Sequence, residues 1–569
     1  MSDVLLSELE GKAKREPLLS LFDKFVALTF KIFQGPSARI AEGMPGLRSQ
    51  ILKSNLRTSP EGLVSLALFS AFVTGLVTSV FAVYGVLVLN MVFFAFLPVA
   101  TPIVYILITN LPKLSSAGRA AAIDTELPFV LGYMSVLAGG GVSPIETLRR
   151  ISQMDVLPAS KKEAKRILVD TDVFGQDPIT AMENASRLSP SRYWSEFLAG
   201  YTAVLKSGGS FEAYIQLKLR DLIANRSAIV KASSDITGTI AEAYLTVTVV
   251  LGMTLYTLYM VQTMISKNVA GLQNLYVFAF LVVPLLSAGF IYITDAVQTK
   301  WPYTDYRPYR LFGIMIPFAI LTMLLPLPVP LYIHTSLALG VASGAPAAFS
   351  FRLSRERRRL ERALPDFIGD VTEGRKTGLS PEQSIERLSS RNYGVLSRHV
   401  KKMGAQLSWG VSLSKVISTF TSSVASWITR ATGILMIEVV DVGGGTIRSF
   451  TEMASFARTI NDLESQRRSA LRPFVFVTYI AGVMVILTTF ILVYMLSAPA
   501  TLGYKTSSID PHTIDLLLTT AVFDSFIIGL VAGKMGESSL SDGFKHGFAL
   551  VIASIIAVSL ARLFIPIPL

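Results

Sequence analysis

Two acids three residues apart, Glu438 and Asp441, stand in the apolar run Ile434-Leu435-Met436-Ile437-Glu438-Val439-Val440-Asp441. That spacing puts both carboxylates on one helix face, where they can sit at the polar edge of a bundle or meet a basic partner. A basic run, with Arg355, Arg358, Arg359 and Arg362 at its centre, extends from Arg352 to Arg362. Such a run stops transfer across a membrane and binds lipid headgroups, or else docks an acidic partner. Asp524 is the one acid well inside a long apolar segment. An acid there marks either a functional site or a bond to a neighbouring helix, since leaving it in hydrocarbon costs at least about 2.5 kcal/mol. Both readings stay open from the sequence.

Other chemistry is looked for and not found. Gly369-Asp370-Val371-Thr372-Glu373-Gly374-Arg375-Lys376-Thr377 misses the phosphate-loop spacing by one inserted arginine and follows a helical pattern rather than a strand. Gly443-Gly444-Gly445 reads as a tight turn. The chain has no cysteine, which excludes disulfides, thiolate metal sites and cysteine nucleophiles. Its four histidines, His334, His399, His512 and His546, are scattered too widely to suggest a metal cluster. No cofactor, no metal and no enzymatic activity are expected.

The elements that hold these residues follow from composition. Of 569 residues 51% are apolar and only 16% charged, against about a quarter charged in ordinary soluble domains. Runs of about 20 apolar residues mark membrane-crossing helices. Nine are expected, near 63–82, 86–109, 241–264, 272–294, 311–333, 335–351, 474–497, 513–532 and 548–567; Gly340, Gly344 and Pro346 interrupt the sixth. The resulting plan has an N-terminal segment (1–60), a transmembrane pair (61–109), a soluble domain (110–235), four spans (236–350), a second soluble domain (351–473) and three spans (474–569). The first 60 residues hold nine positive side chains and no signal-peptide pattern, so no cleaved leader is expected. With this plan only Lys267, Lys505 and Arg562 fall opposite the N-terminus, leaving 49 of the 52 Lys and Arg on one side, which is then the cytoplasm. The second soluble domain carries 20 positives against 12 negatives and the first 15 against 13, so electrostatic docking favours the second.

The soluble domains repeat one another. Glu126-Leu127-Pro128-Phe129-Val130 with Gly141-Val142-Ser143-Pro144-Ile145-Glu146 corresponds, 237 positions on, to Ala363-Leu364-Pro365-Asp366-Phe367 with Gly378-Leu379-Ser380-Pro381-Glu382-Gln383. Gly175 parallels Gly410, and Gly208-Gly209-Ser210 parallels Gly444-Gly445-Thr446, at nearly the same offset. So constant a separation argues for duplication. Leu127, Leu131 and Met134, like Leu364, Ile368 and Val371, recur at helical spacing and predict a buried helix face. A glycine then ends that helix, and Ser-Pro, with Glu146 or Gln383 three residues after the serine, starts the next. Alternating strand patterns are scarce. The fold class is therefore all-α: a polytopic membrane protein with about nine transmembrane helices and two homologous cytoplasmic helical bundles.

Two helical bundles, each with a Leu-Pro opening and a Gly-x-Ser-Pro corner, alternating with membrane segments, resemble the type II secretion system F-domain family. These are the platform proteins of type II secretion systems, type IV pili and archaella, and the many-span form is most similar to the archaeal one. The resemblance covers about residues 120–300 and 360–500. It implies a platform in the cell membrane whose cytoplasmic bundles engage a hexameric secretion ATPase and pass its motion to pilin or archaellin subunits. Membrane lipids are further partners, a homodimer supplying four bundles is one arrangement, and nucleic acid is not a partner. The alternative is a multi-pass secondary transporter with cytoplasmic regulatory domains. Transporters also contain repeats, but in their membrane segments and with polar residues near the midplane.

Overall fold

The computed structural model describes residues 17–56, 58–87, 98–252, 254–255, 257–258, 277–299, 305–326, 328–443, 446–501 and 511–564. Lys267, Lys505, Gly444 and Gly445 lie outside these described residues, as does most of the third expected span beyond 258. Every regular element described is helical, and no strand occurs among the described residues. Two compact units divide the chain, residues 1–130 with 145–214, and residues 131–144 with 215–569.

In the first unit, α1 (Pro17–Glu42), kinked at Phe33 ahead of Pro36, and α2 (Leu47–Ser54) pack on α3 (Pro60–Leu87). Leu47, Ile51, Leu63 and Val64 close that contact, and Phe25 meets the edge of Phe69 at 5.5 Å. The bundle is built from the 100–130 part of α4 (Ala100–Gly139) with α5 (Pro144–Ile151), α6 (Pro158–Asp172), α7 (Pro178–Leu188) and α8 (Arg192–Lys206). Trp194, Phe197 and Tyr201 stack along α8, with Phe197 also against Tyr214 at 5.9 Å. Glu126 anchors α6 by accepting the amides of Ala159 (3.0 Å) and Ser160 (2.8 Å), two of that helix's unsatisfied N-terminal donors. Arg119 grips the buried Glu163 of the same helix through both carboxylate oxygens.

The second unit holds the ends of α4 and of α9 (Phe211–Leu245), followed by a π-helical turn at Thr246–Leu251, then α10 (Val283–Val297) and α11 (Arg307–Leu324). The second bundle follows as α12 (Leu331–Lys376), α13 (Pro381–Leu388), α14 (Ser397–Ser408), α15 (Leu413–Ser423) and α16 (Trp427–Gly443). The chain ends in α17 (Ile447–Thr501), α18 (Pro511–Glu537) and α19 (Leu540–Phe564). Among the described residues six helices are long and apolar enough to cross a membrane: Pro60–Tyr84, Ala100–Gly139, Phe278–Val297, Ile447–Ile491, Thr513–Glu537 and Leu540–Leu560. The fifth expected span, 311–333, is not one helix: the 18-residue α11, with Arg307 and Arg310 in its first turn and Pro317 inside, ends at Leu324, and 331–333 already belong to α12.

One local expectation is corrected. Gly340, Gly344 and Pro346 do not interrupt the sixth expected span, which is the start of the unbroken 46-residue α12. Gly344 serves close packing there, since a methyl group on it would meet the ring of Phe548 in α19 at 3.5 Å. Pro128 and Pro365 lie inside α4 and α12, whose apolar spacing runs across both. Each proline removes one intrahelical donor, and the helix continues because packing on its apolar face holds it together. Leu127, Leu131, Met134, Leu364, Ile368 and Val371 are all buried as the periodicity requires.

The corners form as expected. Gly141 (φ +82) and Gly378 (φ +88) take the left-handed conformation, with Val142 N bonded to Leu137 O and Leu379 N to Gly374 O at 3.1 Å in both copies. Ser380 Oγ accepts from Gln383 N at 3.1 Å, and Gln383 Oε1 accepts from Ser380 N at 3.0 Å, completing the capping box. Helix starts keep the spacing: α5 and α13 are 237 apart, α7 and α15 235, α8 and α16 235, and α9 and α17 236. Moved by 237, α10 and α11 fall inside α18 and α19. The duplication therefore includes membrane-length helices.

Candidate functional site

The polar residues of the second unit converge where apolar helices give way to the bundle. One cleft of about 1910 Å³ opens between α12, α17 and the α18–α19 turn. Its most buried carboxylates are paired. Glu361, one turn before Pro365, accepts from Ser426 Oγ (2.7 Å) and from Arg468 Nη2 (2.7 Å). Arg468 Nε also donates to Glu464 at 2.6 Å, and Arg467 joins Glu464 (2.7 Å) to Ser538 Oγ (2.7 Å). Glu361 and Glu464 are 5% and 3% exposed, so these contacts are made largely out of water. Lys534 pairs with Asp295 nearby.

Glu537, at the end of α18, gathers three more partners. Arg358 lies at 2.8 Å, Lys545 at 2.6 Å and His546 Nε2 at 3.5 Å. Tyr479 Oη and His546 Nδ1 are 3.0 Å apart, which fits a tautomer with its proton on Nε2, toward Glu537. Asp542 accepts from Ser350 Oγ at 3.1 Å and lies 3.4 Å from Lys545. These are fastenings between helices. Among the described residues no three His, Asp or Glu side chains group as metal ligands.

Of the residues singled out in the sequence, Arg355, Arg358, Arg359 and Arg362 share one face of α12 and line a second cleft of about 570 Å³. Glu438 and Asp441 lie elsewhere, on α16, half-buried and exposed respectively, with Asp441 accepting from Ser414 Oγ at 2.6 Å. Asp524 is 2% exposed, inside the packed helices and within electrostatic reach of Tyr244. Gly369 to Lys376 is helix, with Gly374 against Ser384, so the near-match to a phosphate loop has no loop to offer. His399 is part-buried beside Phe420, and burial, aided by the Arg398 charge, holds its imidazole below the ordinary value.

One duplicated feature has no counterpart among the sequence-selected residues. Phe174 and Trp409 precede the left-handed Gly175 and Gly410, 235 positions apart, and expose 69% and 84% of their surface. Their signal was the Gly175/Gly410 match itself, read one residue upstream. Single exposed apolar side chains are ordinary, whereas the same large aromatic exposure at one corner of two homologous bundles points to contact.

The family model for type II secretion system (T2SS) protein F matches twice, at residues 130–258 and 367–494. An uncharacterized protein of Methanocaldococcus jannaschii is 21% identical over 499 residues, covering 78% of this chain and 80% of that protein. Flagella accessory protein J of the same organism is 22% identical over 344 residues, covering 56% of this chain and 60% of that protein. No solved structure matches the chain. The chain therefore carries two protein F domains of the type II secretion system family, in a platform-type membrane protein similar to archaeal relatives.

Proposed function

We propose that the chain is the membrane platform of a type IV pilus-like filament or secretion machine, coupling a cytoplasmic hexameric ATPase to the extraction and assembly of pilin subunits. The observation that carries this reading is the duplicated aromatic corner. Two equivalent anchors, Phe174 and Trp409, suit a partner that repeats one binding site, as a homo-oligomeric ring does. With the nine-span plan, the skew of 49 of 52 basic residues to one side supports a cytoplasmic position for both bundles. The paired charges of the large cleft suit transmission of force between bundle and membrane helices rather than catalysis.

The test is co-purification of the full-length chain with its cognate secretion ATPase. Phe174→Ala and Trp409→Ala each weaken the complex about 30-fold, given hot-spot costs of about 2 kcal/mol each, and the double variant weakens it further. The thermal midpoint of the platform stays unchanged and filaments are lost. Undiminished ATPase binding by the double variant would remove the docking assignment, and no binding by the unaltered chain would remove the coupling itself.

A further inference from the structure

The smaller cleft makes a demand that the pairing network does not meet. Arg355, Arg358, Arg359 and Arg362 follow one another at helical spacing, and Lys545 closes the opposite wall from α19. Five cationic side chains thus face a single carboxylate, Glu537, which Arg358 and Lys545 already hold. Arg355, Arg359 and Arg362 are exposed, and among the described residues none of the three has an ion-pair partner. Concentrating like charge in a concave site is unfavourable unless an anion occupies it.

The level of the cleft tells which anion. The apolar start of α12 packs on α19 through Gly344 and Phe548, and one turn before Arg355 the chain exposes Phe351 (53%), itself part of the lining. An apolar wall therefore runs straight into the arginines. A volume of about 570 Å³ lies within the ordinary range for small-molecule sites. We infer that this cleft binds the phosphate headgroup of an anionic phospholipid, with the guanidinium groups of Arg355, Arg359 and Arg362 on the phosphate and an acyl chain along Phe351. The inference does not depend on the ATPase or on pilins. It replaces protein docking as the role of the arginine face.

The full-length protein in detergent is titrated with dioctanoyl phosphatidylglycerol, dioctanoyl phosphatidylcholine, inorganic phosphate and a polyglutamate peptide, and binding is read by native mass spectrometry and by the shift in thermal midpoint. Phosphatidylglycerol binds and raises the midpoint. Affinity drops about fivefold for each of Arg355→Gln, Arg359→Gln and Arg362→Gln, and Arg→Lys at the same positions restores most of it. Because these three side chains are exposed, the unliganded midpoint of each variant matches that of the unaltered protein. Equal binding of phosphatidylcholine, or affinity that ignores all three substitutions, overturns the site. Inorganic phosphate binding as tightly as the lipid overturns the lipid as its source, and polyglutamate displacing the lipid at lower concentration overturns it in favour of an acidic protein partner.

Discussion

Gln216 Nε2 donates to Glu452 Oε1 at 3.3 Å, and the two residues occupy the same position of the duplicated unit, 236 apart. The coincidence recurs along the same two helices. A methyl group on Gly238 would come within 3.0 Å of Phe474, again 236 positions on, and between these two points Ser227 Oγ donates to Gln466 at 3.0 Å, 239 positions on and so within one helical turn of the same register. Farther along, Gln298 Nε2 donates to Met535 O at 2.8 Å, 237 on. Like residues meeting like require a pseudo-twofold axis parallel to α9 and α17, which run side by side in the same direction. A repeat of inverted topology would set them antiparallel.

That geometry is directly checkable, because the chain has no native cysteine to confuse the result. Paired substitutions Gln216→Cys with Glu452→Cys, and Gly238→Cys with Phe474→Cys, are expected to cross-link under mild oxidation. The mismatched pair Gln216→Cys with Phe474→Cys is expected not to, since 22 residues of helix place the ends about 33 Å apart. Cross-linking of the mismatched pair alone would mean antiparallel helices.

The two halves have diverged where their last two helices meet. Gly529 and Gly533 of α18 face Gly547 and Gly543 of α19, and a methyl group on either of the first two would overlap the opposing backbone. This small-residue seam lets two apolar helices touch along their backbones. The corresponding positions in the first copy are Tyr292, Ala296, Tyr306 and Arg310, of which Tyr292 and Tyr306 are strongly exposed. Gly529→Ala or Gly533→Ala should therefore cost about 1–3 kcal/mol or more, the penalty of overpacking, seen as a lowered thermal midpoint. Gly289→Ala and Gly313→Ala, where nothing lies within 4 Å, should leave the midpoint unchanged. Equal midpoints for all four would show that the seam is not closed.

A second duplicated device joins cap to bundle. Ser191 caps α8 by accepting the Trp194 amide while donating to Asp124, and Ser426 takes the Thr429 amide while donating to Glu361. Asp124 and Glu361 are themselves equivalent, each one turn before the proline of its long helix. Ser426→Ala loses both contacts and leaves Glu361 one donor short, so a loss of about 1–2 kcal/mol is expected, with Ser191→Ala similar. Ser423→Ala, whose hydroxyl bonds back to Phe420 O of its own helix, is the neutral control in the same melting experiment.

Arg468 is the most consequential ion in the large cleft. Replacing it by Met leaves Glu361 without a cation in a nearly dry site while Glu464 keeps Arg467, and breaking such a pair from one side costs about 3–5 kcal/mol. The double replacement Glu361→Gln with Arg468→Met removes that pair together, leaves Glu464 to Arg467, and should recover most of that loss. Additive losses in thermal unfolding would show that the groups do not act as one network.

What could be read in advance divides along physical lines. The Gly-x-Ser-Pro corners were legible because capping is decided within four or five residues, as Ser380 and Gln383 demonstrate. The helix runs through Pro365 because Leu364, Phe367 and Ile368 are clamped in a core, as the spacing of Leu364 and Ile368 implied. The arginine face was legible as spacing, yet its second wall, Lys545 and His546, comes from a segment more than 180 residues away. The glycine seam did carry a local signal, Gly-x-x-x-Gly in both α18 and α19, and was missed because it sits inside segments already explained by their apolarity.

Asp524 separates the platform reading from the transporter reading. Its helix, α18, is the most enclosed of the membrane-length helices, with 83% of its apolar stretch buried, and the carboxyl is 2% exposed rather than turned to lipid. A group so placed can be a fastening between helices or a midplane ion site. If it fastens, Asp524→Asn, which keeps shape and hydrogen-bonding capacity, should assemble filaments normally with a midpoint close to that of the unaltered protein. Asp524→Leu should lower the midpoint by an amount equivalent to about 1–3 kcal/mol through the partners it deserts. In proteoliposomes neither variant should change the passage of protons or solutes. A flux present in the unaltered chain and abolished by Asp524→Asn, with the midpoint intact, would show that the charge rather than the packing matters, which is the behaviour of a transporter and not of a coupling platform.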